Sequence, residues 1–157
     1  MKSEFMNAAL REARKGVRAN DGGPFGAVVV KGSRIVSRAH NSVVKTNDPT
    51  AHAEILAIRK ASCRLGRFNL SDCEIYTTSE PCPMCLAAIY WARISVVYFG
   101  CTRADAAKIG FDDEFFYRAL EGRARKSEKR VRSIQLGRKG CLELFRAWAE
   151  KPDKVLY

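Results

Sequence analysis

Apolar and polar positions recur along this chain with two periods, one helical and one strand-like. Near the start, Ser3–Ala19 carries Phe5, Met6, Ala9, Leu10, Ala13 and Val17 at helical spacing, which predicts an amphipathic helix. The stretch "DGGPFG" breaks it. "FGAVVVK" is an apolar run of strand length, and "RIVSRAH" reads as its hairpin partner across "GS". "TNDPT" stops the chain again. "AHAEILAIRKASCRLG" then has the pattern of a helix closed by Gly66. "CEIYTTS" reads as a strand. "PMCLAAIYWAR" reads as a helix with Pro83 at its first position, where proline fits. "ISVVYFG" is a strand, "TRADAAKIG" and "DDEFFYRAL" are short helices, "RVRSIQL" is a last strand and "CLELFRAWAE" a final helix.

After the first helix this order is β-β-α-β-α-β-α-β-α, which implies an α/β fold with helices packed on a mixed sheet. Two helices begin directly after Thr50 and Glu80. Packed side by side, they would bring their N-termini together at one edge of the sheet.

The chain has 157 residues, which suits one domain spanning 1–157. There is no repeat, low-complexity tract or long linker. The apolar share is 46%, enough for a core without disulfide staples. No apolar run approaches the roughly 20 residues of a membrane span. The N-terminal stretch is charged and lacks a signal-peptide core, so a cytoplasmic protein is expected. In that reducing setting six cysteines do not form a disulfide framework. Cys63, Cys73, Cys101 and Cys141 stand alone and are expected as small buried or half-buried fillers. Cys82 and Cys85 form the one spaced pair, which is either a metal half-site or a redox motif.

The net charge of +11 invites a nucleic-acid reading. Its distribution weakens that reading. Arg123–Lys139 holds eight Lys/Arg and one Glu, hence +7, and leaves +4 for the rest of the chain. Such a run is expected to be a solvated face.

The two helix starts carry the chemistry. "TAHAEI" supplies His52 and Glu54, and "EPCPMC" supplies Cys82 and Cys85. One imidazole and two thiols match a catalytic zinc site with an open fourth position. A structural site would need a fourth protein ligand, and nothing pairs His40 with the set. Helix N-termini lower thiol pKa, and a spacing of three places both sulfurs on one face. Glu54, two residues from His52, would not ligate. It could reach the water that the ion activates, act as general base and pass the proton to a leaving amine. H-x-E followed by P-C-x-x-C is the signature of zinc-dependent deaminases. A redox pair would leave His52 and Glu54 unexplained.

The chain resembles the cytidine deaminase superfamily over roughly its first 120 residues. Within it, "GGPFGAVVV", "HNSVVKTNDPTAHAE", "EPCPMCLAAIYWAR", "GFDDEFFY" and the terminal "LY" are similar to the bacterial guanine deaminase branch. The resemblance implies a three-layer fold with a mixed five-stranded sheet and helices on both faces. It implies one zinc per chain, held by His52, Cys82 and Cys85, and hydrolysis of guanine to xanthine and ammonia with proton shuttling by Glu54. Asn41 and Asp113 would contact the purine edges, and Phe25 and Trp91 would wall its faces. Tyr157, at the end of a tail spanning 151–157, would cover the pocket. A homodimer, with C-terminal segments exchanged, is implied as well.

Simpler roles stand beside these. Asn41 could end a strand, Asp112 or Asp113 could cap the helix that follows, and Phe25 and Trp91 could be core. Two rivals share the superfamily: a tRNA adenosine deaminase, favoured by the charge but set apart by "YWAR" and "FDDEF", and a guanosine deaminase. A rival of another class is a nucleic-acid-binding protein with a structural zinc, which would have no use for Glu54.

Overall fold

A computed structural model of the chain describes residues 2–122 together with 135, 136, 138, 142, 145 and 150. The chain forms two compact units, residues 1–117 and 118–157. The first contains α1 (Lys2–Arg18), β1 (Gly26–Lys31), β2 (Arg34–His40), α2 (Val43–Thr46), α3 (Ala53–Leu65), β3 (Cys73–Ser79), α4 (Pro83–Trp91), β4 (Val96–Cys101), α5 (Arg103–Lys108) and the start of α6 (Glu114–Leu120). In the second unit, α6 ends in the turn at Glu121 and Gly122, and Leu142, Phe145 and Glu150 are helical.

The four strands form one sheet in the order β2-β1-β3-β4. β1 runs antiparallel to both β2 and β3, and β4 runs parallel to β3. The sheet is therefore mixed, as expected. The expected fifth strand, at 130–136, lies outside the described residues except for Gln135 and Leu136, which are irregular.

β1 shows why its sequence lacks alternation. Val28 and Val30 pack with Phe5, Ala8, Ala9 and Tyr76 beneath α1. Ala27 and Val29 pack on the other face with Ala53, Ala57, Ile75 and Ile89, from α3, β3 and α4. A strand covered on both faces loses the period-2 signal and reads as a continuous apolar run. The α1 stripe differs from expectation. Leu10 and Val17 are exposed, whereas Glu12 and Gly16 are buried with Phe5, Ala8, Ala9 and Ala13. The helix turns a buried carboxylate and a side-chain-free position toward the end of β2, where His40 sits.

β2 is an edge strand. Arg64 donates to the Val36 carbonyl and Lys60 to the Arg38 carbonyl, while the Ser37 hydroxyl donates to Ala57 in α3. Of the lone cysteines, Cys73 is buried as expected. Cys63, in the last turn of α3, and Cys101, at the end of β4, are exposed, and Cys141 is outside the described residues. No helix among the described residues is long and apolar enough to cross a membrane.

Candidate metal centre and substrate cleft

α3 and α4 start at the same end of the sheet. Their N-cap residues are His52 (φ −69°, ψ 152°) and Cys82 (φ −64°, ψ 168°), and neither side chain caps its helix. A Ser, Thr, Asp or Asn there would add about 1 kcal/mol of helix stability. Both helices forgo that contribution and turn an imidazole and a thiol toward each other. His52 Nδ1 lies 3.6 Å from Cys82 Sγ and 3.5 Å from Cys85 Sγ, and the three ligand atoms all fall within 4.8 Å of one another. Two sulfurs and one nitrogen at this spacing fit a tetrahedral zinc ion with one position left for water or substrate. Among the described residues, no fourth His, Cys, Asp or Glu joins the cluster.

The electrostatics follow from the burial. The hydrogen bond from Cys85 pulls the Cys82 thiol down to about 4, with His52 assisting, while the same bond and burial push Cys85 well above its ordinary range. A thiol must lose its proton to ligate a divalent cation, so binding one at these sulfurs would release protons. The hydrogen bond with Cys82 raises His52. Burial raises Glu54, which sits on the second position of α3 and is 6% exposed. A carboxyl raised toward neutrality and facing a ligand cluster is poised to take and return protons.

A cleft of about 330 Å³ opens beside this cluster. His52, Glu54 and Cys82 line one side. Phe25, Arg103, Phe111, Asp112, Asp113 and Phe116 are among those lining the rest. The Phe25 ring meets Phe111 edge-on, with centroids 4.8 Å apart at 86°. The two aspartates divide their work. Asp112 accepts the Glu114 backbone N–H at 3.0 Å and so shapes the start of α6. Asp113 is half-buried, and its carboxyl is raised by burial and then by the charge of Cys82.

The structure brings His52, Glu54, Cys82, Phe25 and Asp113 to this cleft, with Cys85 behind them in the ligand set. Asn41 adjoins Phe25, whose carbonyl accepts the Asn41 backbone N–H. Asn41 is not among the residues lining the cleft; its side-chain oxygen accepts from Gly23 and Val43 at 3.3 and 3.2 Å. Trp91 is not brought to the cleft. It ends α4, 66% exposed. At 3.6 residues per turn it stands roughly 120° around the helix from Cys85 and about 9 Å along it. Tyr157 lies outside the described residues.

The sequence reading missed Ser79, Glu80, Arg103, Phe111 and Phe116. The two phenylalanines belong to "GFDDEFFY", a stretch already singled out. Arg103 gave no signal, because an arginine at a helix start reads as solvated. Here its guanidinium lies over the Tyr117 ring at 4.6 Å. Its backbone N–H donates to Glu80 at 2.9 Å, and Tyr117 donates to the Pro81 carbonyl at 3.5 Å. These contacts fasten α5 and the start of α6 to the loop that carries Cys82.

Residues 1–101 match the family model described as the cytidine and deoxycytidylate deaminase zinc-binding region. The chain belongs to that zinc-binding deaminase family. This deaminase is 46% identical to guanine deaminase of Bacillus subtilis over 98% of its own length and 97% of that protein. It is 48% identical to the tRNA-specific adenosine deaminase of Aquifex aeolicus, over 62% of its own length and 64% of that protein. The X-ray structure of the Bacillus subtilis guanine deaminase superposes with a TM-score of 0.91 at 44% identity, covering 99% of this chain and 98% of that one. A guanine deaminase structure from Nitrosomonas europaea gives 0.66 at 32%, covering 76% and 71%. The family binds zinc, and His52, Cys82 and Cys85 are the residues of this deaminase that fit it.

Proposed function

We propose that this deaminase converts guanine and water to xanthine and ammonia. The observation that carries the reading is the cleft itself. It sets a buried carboxyl and a three-ligand metal cluster against aromatic rings and a half-buried aspartate. A volume of about 330 Å³ lies at the small end of ligand pockets and suits one flat base. Full-length similarity to the Bacillus subtilis guanine deaminase supports the choice of base.

Zinc in the His52–Cys82–Cys85 set supplies the Lewis acidity that makes water nucleophilic near neutral pH. Glu54 takes a proton from the attacking water and returns it to the ring nitrogen beside the amino-bearing carbon. It then takes the second proton, from the hydroxyl now on that carbon, and gives it to the departing amine, which leaves as ammonia. Phe25, Phe111 and Phe116 cover the apolar faces of the ring and exclude bulk water. Asp113 accepts from the donor-rich edge of guanine, and the Asn41 amide nitrogen donates to an acceptor on its rim.

The same proposal has further parts. A single functional domain spans 1–157, and Tyr157, with the 151–157 tail, covers the cleft. The enzyme works in the cytoplasm, where free thiols persist as zinc ligands. It forms a homodimer, a reading supported by Leu86, Tyr90 and Trp91 exposed on α4 and Phe99 on β4.

Ammonia release from guanine, guanosine, adenine, cytosine, cytidine and an adenosine-containing tRNA stem-loop tests the assignment. Guanine should be the preferred substrate. Turnover of the stem-loop with guanine inert would transfer the function to tRNA editing, the reading that the net charge of +11 favours.

A further inference from the structure

The broken stretch "DGGPFG" and the end of β2 carry a polar network that the deamination steps leave unused. His40 Nε2 lies 2.8 Å from Asp21 Oδ2, and Lys45 Nζ donates to the same oxygen at 3.1 Å. The Asp21 backbone closes the knot, its N–H donating to Gly16 and its carbonyl accepting from Lys45, both at 3.0 Å. Glu12 pairs with Lys15 at 2.7 Å and stands 3.8 Å from His40 Nδ1, a buried nitrogen with no hydrogen-bond partner among the described residues. Glu12 and Asp21 are 9% and 6% exposed. Two carboxylates, two lysines and an imidazole are thus gathered between α1, the following loop, β2 and α2.

Such a network is a poor device for stability alone. Withdrawing the two carboxylates from water cancels much of their attraction, and well-packed apolar residues would often hold the same elements as firmly. What the network fixes is position. His40 precedes Asn41, and Asp21 precedes Gly22 and Gly23. Asn41 Oδ1 accepts the Gly23 N–H, and its own backbone N–H reaches Phe25. The glycines leave no slack. A Cβ on Gly16 would stand 2.7 Å from the His40 ring. One on Gly22 would stand 2.1 Å from Asn41 Oδ1, and one on Gly23 would fall 2.8 Å from Phe25 and 2.9 Å from Phe111. The first contact lies within the network; the other two tie the loop after Asp21 to Asn41 and to the cleft residues Phe25 and Phe111.

We infer that Asp21 and His40 are positioning residues for the purine side of the cleft, clamping the 21–25 loop so that Phe25 and the Asn41 amide meet the substrate in register. The inference rests on the guanine reading, since it assigns these two residues to the base. Neither Asp21 nor His40 touches the metal ligands, so their loss should appear in substrate binding and not in metal content.

The test is steady-state kinetics on the zinc-loaded full-length enzyme. His40→Ala should keep its zinc and raise KM for guanine about tenfold, the scale of one lost polar contact, with kcat changed less than about threefold. His40→Gln carries an amide N–H near the place of Nε2 and should restore KM to within about twofold of the parent. Gly22→Ala, which displaces Asn41 directly, should raise KM at least as much as His40→Ala. Wild-type KM in His40→Ala or in Gly22→Ala overturns the inference. So does a loss of zinc and kcat at unchanged KM, or a His40→Gln enzyme as impaired as His40→Ala. Should His40→Ala not fold, Gly22→Ala and His40→Gln decide the matter on the same criteria. A parent enzyme inert on guanine would instead remove the guanine reading, a separate result.

Discussion

The two sides of the cleft are built in different ways. On the metal side, His52, Glu54, Cys82 and Cys85 stand at the starts of two helices packed on the sheet, and Ala53, Ala57 and Ile89 beside them are buried. On the opposite side, neither α5 nor α6 has a buried residue, and Phe111 and Phe116 are 46% and 54% exposed. That side is fastened by the Arg103–Tyr117 stack, the Glu80 bond and a Thr102–Asp105 capping box. Metal chemistry tolerates little displacement and is bedded in the core. In the proposed function, recognition of the base falls to short surface elements that can vary without disturbing the sheet.

The largest effects should come from the bedded side. Cys85→Ala should abolish zinc binding and activity together, and should lower Tm because the side chain is fully buried; metal analysis with calorimetry checks both. Glu54→Gln should keep its zinc and fold yet lose at least about 10,000-fold in kcat, the upper range for one acid–base group that serves several transfers. Activity within tenfold of the parent would show that the bedded carboxyl is structural and would break the comparison.

Changes on the fastened side should be smaller and should leave zinc alone. Asp113→Asn removes a charged acceptor and should lower kcat/KM for guanine by roughly 10- to 100-fold. Phe111→Ala loses one edge-on aromatic contact and should raise KM roughly two- to tenfold. Zinc loss in either variant would mean that the two sides are one structural unit.

A control lies at the far end of β3. Asp72 precedes that strand, whereas Ser79, which lines the cleft, ends it. Asp72 is paired with Lys31 at 3.0 Å and with Arg67, and its carboxyl is held down to about 2, by Lys31 first. A depressed folded value contributes stability above the ordinary 3.8 and loses it as pH falls through about 2. Asp72→Asn should therefore leave turnover unchanged and lower Tm slightly at pH 7. The gap should close between about pH 4 and about pH 2, as thermal melts across that range would show.

The bedded side was the legible one. Zinc accepts few residue types at few spacings, so His52, Glu54, Cys82 and Cys85 declared themselves on two short stretches. The buried strands did so too, because a core face leaves a run such as "GAVVVK". One turn of helix at Val43–Thr46 was missed, since β-branched residues between "HNS" and "NDP" carry little helical signal. The fastened side was read less well for a physical reason. Surface residues gain their roles from contacts that span the fold, so Arg103 gave no signal, and the exposed place of Trp91 at the end of α4 could not be read from its residue type. Cys63 and Cys101 were expected as buried or half-buried fillers and are exposed, because a lone small side chain has no periodicity to place it.

The capped edge of β2 has a consequence for the life of the protein in a crowded cell. A bare strand edge is a template on which another chain can add a strand, and repetition of that step leads to fibres. Two carbonyls of β2, two residues apart, are already taken by Arg64 and Lys60. An incoming strand would have to displace two cations, each on a flexible stem, before it could form its own ladder. The basic side chains of α3 thus act as gatekeepers against self-templated aggregation. Their loss would show first as shortened shelf life of the folded enzyme, with its turnover untouched.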